Sequence, residues 1–77
     1  MAQHVLIIED DAKLGAQMVE ALLGAGFVPT LARSARDARH SRIDDYALVL
    51  LDLTLPDAHG FDLLKRIRND SDVPVII

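Results

Sequence analysis

The chain has 77 residues, 51% of them apolar and 26% charged, with a formal net charge of −4 and a pI near 5.1. That length fits one domain at most, and a domain so small buries only roughly 60% of the surface its unfolded chain exposes. The apolar fraction argues against disorder, the acidic balance against direct nucleic-acid binding, and the lack of cysteine excludes disulfides and thiolate metal sites.

Residues 5–8, "VLII", are short, largely β-branched and apolar, and predict a strand buried on both faces. The N-terminus lacks a basic flank before this four-residue apolar run, so it does not read as a secretory signal. The longest apolar runs, 47–51 and 73–77, fall far short of the ~20 residues that a spanning helix needs. No membrane contact and a cytoplasmic location are the expectations.

Asp11 is placed to cap a helix whose apolar positions Leu14, Met18, Ala21 and Leu22 recur at helical spacing, with Met18 in the core, and Gly24 and Gly26 end it. "FVPTLA", 27–32, predicts a second strand, placed at an edge because Pro29 has no N–H for a ladder. Ser34 caps a short polar helix to about His40, followed by a polar link through Asp44 and Asp45. "YALVLLDL", 46–53, is the most apolar strand. Phe61, Leu64 and Ile67, with Leu63, form the inward face of a third helix; "RNDSD", 68–72, is a turn; "VPVII", 73–77, begins a fourth strand. Alternating strands and helices joined by short links predict an α/β fold with a parallel sheet, helices on both faces, and the two most apolar strands at its centre.

If those two strands are parallel neighbours, their carboxyl ends lie about 4.8 Å apart. Glu9 and Asp10 follow one and Asp52 ends the other, so three carboxylates converge in the crevice where open α/β sheets bind ligands. A hard cation such as Mg²⁺ offsets their repulsion, and an aspartate beside it is suited to nucleophilic attack on a phosphoryl group. In the following turn Pro56 fixes the backbone, Gly60 relieves it, and N–H groups around 54–58 are available to phosphate oxygens. Asp11 and Asp57 read as a cap and a turn residue, His4, His40 and His59 as surface positions, and Arg33, Arg36, Arg39 and Arg42 as a solvated helix face.

"VLIIEDD", "LVLLDLTLPDAHG", "LLKRIR" and "VPVII" together resemble the receiver domain of bacterial two-component response regulators, over residues 5–77. The resemblance implies a flavodoxin-like, doubly wound sheet of order 2-1-3-4-5, truncated here after its fourth strand, so that residues 1–77 form a partial receiver domain. By position, it makes Asp52 the phosphoacceptor, Asp10 a direct Mg²⁺ ligand, Glu9 a ligand acting mostly through water, and the Thr54 carbonyl a backbone ligand. It further implies that a sensor histidine kinase donates the phosphoryl group, with no enzyme activity beyond self-phosphoryl transfer and slow autodephosphorylation. The acidic triplet and "LLDLTLP" are similar to the branch that regulates transcription through a winged-helix DNA-binding domain. The family's Ser or Thr and Lys switch residues have no counterpart up to Ile77: no lysine follows Lys65 and no hydroxyl follows Ser71.

Two alternatives stand beside this one. Open apolar faces fit a non-signalling interaction module that forms a homodimer or swapped oligomer. "LLDLT" also fits a haloacid-dehalogenase-type phosphatase, although Thr54 occupies the position where that class carries a second aspartate.

Overall fold

Four consecutive apolar side chains have a place only in a strand flanked and covered on both sides, and Val5 to Ile8 are each at most 1% exposed. In the computed structural model, which describes residues 2–53, 55 and 57–77, they lie in β1 (His4–Ile8). β1 pairs in parallel with β2 (Val28–Ala32) on one side and β3 (Leu48–Leu51) on the other, and β4 (Val75–Ile76) pairs with β3. The order β2-β1-β3-β4 puts the two most apolar strands at the centre and Pro29 in an edge strand, as expected. These are the first four strands of the flavodoxin-like order.

Alternate residues of a strand point to opposite faces. Leu6, Ile8, Val49 and Leu51 join a core with Ala35 and Ala38 of α2 (Ala35–Arg39) and Leu63 and Ile67 of α3 (Gly60–Asp70). Ile7 and Leu31, paired across β1 and β2, face α1 (Ala12–Gly24) on the other side. A short 3₁₀ turn (Ile43–Asp45) occupies the polar link before β3. Gly26, at φ 90°, supplies the left-handed residue that reverses the chain after α1.

Four expectations are corrected. The buried residue of α1 is Gly15, where an added Cβ would meet Leu31 at 3.0 Å; Leu14 is 45% exposed and Met18 is half-buried rather than core. α1 approaches the sheet at Gly15 over β2, and its Leu14 and Met18 line a groove with Ile8, Leu50 and Leu51 of the central strands. In α3 the buried stripe is Gly60, Leu63 and Ile67, with Leu64 half-buried against the core as expected, while Phe61 is 63% exposed. One residue is about 100° of helix, so once Gly60 faces inward Phe61 turns outward. α3 also continues through Asp70, and the turn starts only at Ser71, whose Oγ accepts the Val73 N–H while the Arg68 guanidinium donates to the Val73 carbonyl. The strands pair over fewer residues than the runs expected to form them: β3 covers four of the eight in "YALVLLDL" and β4 two of the five in "VPVII".

Candidate functional site

The parallel register sets Ile8 beside Leu51, so the residues that follow each strand emerge together. The Asp52 N–H continues the ladder by donating to the Ile8 carbonyl at 3.0 Å, and the Glu9 N–H donates to the Ala32 carbonyl at 3.0 Å. Glu9, Asp10 and Asp52 each bring one carboxylate oxygen to within 4.8 Å of the others. The convergence expected from two separated segments is therefore present.

The three acidic residues after β1 divide their roles. Asp11 caps α1, its Oδ1 accepting the Leu14 N–H at 2.9 Å. Glu9 is only 8% exposed and its Oε1 accepts the Asp11 N–H at 3.1 Å. Burial pushes the Glu9 carboxyl above its ordinary range, and the neighbouring Asp52 and Asp10 charges add to this, against the opposing Asp11 N–H. A buried acid beside two like charges gains from a cation, and Mg²⁺ takes carboxylate oxygens of this kind as ligands. The donor set fits a hard divalent cation.

The turn between Asp52 and α3 is closed at its neck. Gly60 N–H donates to the Leu53 carbonyl at 3.2 Å, and a Cβ on Gly60 would lie 2.4 Å from Leu53 Cα. Its φ is not positive, so Gly60 is required for close approach rather than for the conformational relief expected of it. Thr54 and Pro56, expected to supply a metal-binding carbonyl and a fixed bend, lie outside the described residues.

Asp57 does more than the turn role expected of it. Its Oδ1 accepts the Ala35 N–H at 2.9 Å and its Oδ2 the Arg36 N–H at 3.0 Å, and these bonds lower its pKa, with Arg39 contributing. Nothing local in the sequence signals this contact, since donor and acceptor are 21 or 22 residues apart. His4, His40 and His59 are exposed, as are the four arginines; Arg42 forms the one ion pair among the described residues, with Asp45 at 3.7 Å.

Beside the acidic cluster runs an open groove of about 450 Å³, lined by Ile8, Leu14, Met18, Leu50, Ile76 and Ile77 among others. No helix among the described residues is long and apolar enough to cross a membrane.

Known proteins resemble the chain in both sequence and fold. The transcriptional regulatory protein CusR of Escherichia coli K12 is 35% identical over 75 residues, covering 95% of the chain and 33% of CusR. The DNA-binding response regulator MtrA of Mycobacterium tuberculosis is 37% identical over 81 residues, covering 100% of the chain and 34% of MtrA. The chain thus spans about a third of the length of these curated relatives. Among solved structures, the non-phosphorylated HemR receiver domain from Leptospira biflexa superposes with a TM-score of 0.89 at 35% identity, over 95% of the chain and 60% of that structure. A CheY-like receiver domain from Methylobacillus flagellatus gives 0.83 at 32% identity, over 100% of the chain and 64% of that structure. With the response regulator receiver domain model matching residues 5–77, the chain belongs to the response regulator receiver domain family.

Proposed function

We propose that the chain accepts a phosphoryl group on Asp52 from the phosphohistidine of a sensor histidine kinase and relays the signal to an output domain that regulates transcription. The observation that carries this reading is the meeting of the Glu9, Asp10 and Asp52 carboxylates from two strand ends. Receiver domains are signalling domains rather than classical enzymes, and the relatives' names as transcriptional regulators support the output. The net charge of −4 leaves DNA contact to another domain, which the likeness to transcription regulators suggests is of the winged-helix type, and the signalling role places the segment's work in the cytoplasm.

Glu9, Asp10 and Asp52, together with the Thr54 carbonyl, would hold Mg²⁺, which when bound would offset negative charge on the carboxylates and on the incoming phosphoryl oxygens. An Asp52 oxygen attacks phosphorus as the P–N bond to the kinase histidine breaks, and the released imidazole nitrogen keeps the electron pair. Slow hydrolysis returns the free carboxylate and inorganic phosphate. The β-ladder bond from the Asp52 N–H to the Ile8 carbonyl keeps the nucleophile at the rim of the sheet.

Fluoroberyllate with Mg²⁺ tests the assignment. Saturable binding to the wild-type chain, lost in Asp52→Asn, is expected; equal binding to both removes Asp52 as the acceptor. A second reading, self-association, has its own support in the apolar groove and in the exposure of Leu14, Ile76 and Ile77. Light scattering decides it: a concentration-independent monomer mass excludes a homodimer or swapped oligomer.

A further inference from the structure

The five residues from the end of β2 to the start of α2, Ala32 to Arg36, touch both halves of the acidic cluster's support. At one end the Ala32 carbonyl accepts the Glu9 N–H at 3.0 Å. At the other, the Ala35 and Arg36 N–H groups donate to the two oxygens of Asp57 at 2.9 and 3.0 Å. Asp57 belongs to the turn that begins at Asp52 and closes where Gly60 meets Leu53. The segment Ala32 to Arg36 is therefore a bracket reaching from the Glu9 side of the site to the Asp52 side.

The bracket is rigid where it has to be. Ala32, Ala35 and Ala38 are at most 3% exposed and belong to the central core, so β2 and α2 cannot shift without disturbing it. A helix of five residues has little stability of its own. Its local caps are already in use: Ser34 Oγ accepts the Asp37 N–H at 3.0 Å and Asp37 Oδ2 the Arg33 N–H at 3.3 Å. The next two N–H groups have no acceptor nearby in sequence, and the carboxylate that serves them comes from the turn after Asp52. The turn is thus held at its neck by Gly60 against Leu53, in its interior by buried Leu55, and at its outer edge by Asp57.

We propose that Asp57 is a positioning residue for the Asp52 site: its carboxylate pins the turn after β3 to α2, and through Ala32 keeps Asp52 in fixed relation to Glu9. Asp57 acts through the backbone that carries Asp52, its two oxygens being engaged by the Ala35 and Arg36 N–H groups. The same two N–H groups favour its charged form and lower its pKa. The reading rests on the proposed phosphoacceptor role, but the pinning itself is measurable without it.

Amide hydrogen exchange and Mg²⁺ titration, followed by NMR on the 77-residue protein and on Asp57→Ala and Asp57→Asn, provide the test. In Asp57→Ala the Asp52 and Gly60 amides are expected to exchange about ten-fold faster while Leu6 and Val49 in the central strands are unchanged. Mg²⁺ affinity is expected to fall about ten-fold, the low end for a group that supports ligands without being one. Asp57→Asn keeps an acceptor oxygen and should fall between. Unchanged exchange at Asp52 and Gly60 overturns the proposal, as does faster exchange spread evenly into Leu6 and Val49, which marks mere destabilisation. Local loosening with full Mg²⁺ affinity overturns it too. If the wild-type protein binds no Mg²⁺, the phosphoacceptor reading fails, and the exchange contrast at Asp52 alone upholds or refutes the pin.

Discussion

Gly60→Ala sets helix propensity against packing. Gly60 is the first residue of α3, where alanine gains at most ~0.5–1 kcal/mol in propensity. The added methyl would lie 2.4 Å from Leu53 Cα and 2.8 Å from the Leu53 carbonyl oxygen, closer than real Cβ contacts come, and the obstacle is backbone that cannot rotate away. Overpacking of this kind costs ~1–3 kcal/mol, and opening the Gly60 to Leu53 hydrogen bond ~0.5–1.5 more, so a net loss of ~2 kcal/mol is expected. A domain of this length has roughly 4–12 kcal/mol in total, so the loss is a large fraction. Urea unfolding followed by circular dichroism reads it: with a slope of about 1 kcal/mol/M, the midpoint should fall by ~2 M. A midpoint equal to or above wild type would mean that propensity wins and that the close approach at Leu53 is not a constraint.

Ile67→Ala, at 3% exposure, should lower stability by ~2–5 kcal/mol, whereas Phe61→Ala should stay within ~0.5 kcal/mol despite removing the larger side chain; the two urea midpoints compared directly check the assignment of the α3 face. The elevated Glu9 pKa makes the metal-free protein lose stability as pH rises from the ordinary glutamate value of 4.5 up through the raised one, because the folded state holds the proton longer than the unfolded state does. In EDTA, the wild-type midpoint should therefore decline over that window, Glu9→Gln should remove most of the decline, and a full slope in Glu9→Gln would reject Glu9 as its source. Mg²⁺ affinity should change in the opposite sense, weakening as pH falls and the carboxylates take up protons.

The order of elements, the central position of "VLII" and "LVLL", the edge position of Pro29 and the caps at Asp11 and Ser34 were legible because each depends on one residue's backbone chemistry or on an uninterrupted apolar run. The acidic cluster was legible for a related reason: parallel neighbours bring their carboxyl ends together wherever the register is even, so two short motifs sufficed to place three oxygens. Faces were less legible. The apolar spacing in α1 and α3 is compatible with several rotations about the helix axis, and two glycines chose between them, Gly15 by admitting Leu31 and Gly60 by admitting Leu53.

What the sequence determined alone is therefore local: where strands and helices start, which strands must be covered, and which acidic residues end them. Only the tertiary structure decided that Phe61 faces water, that Met18 lines an open groove, and that Asp57 reaches across to α2. The physical reason is range. A cap or an apolar run is settled within a few residues, whereas a close approach of two backbones or a carboxylate serving a helix some 22 residues away exists only once the chain has closed on itself.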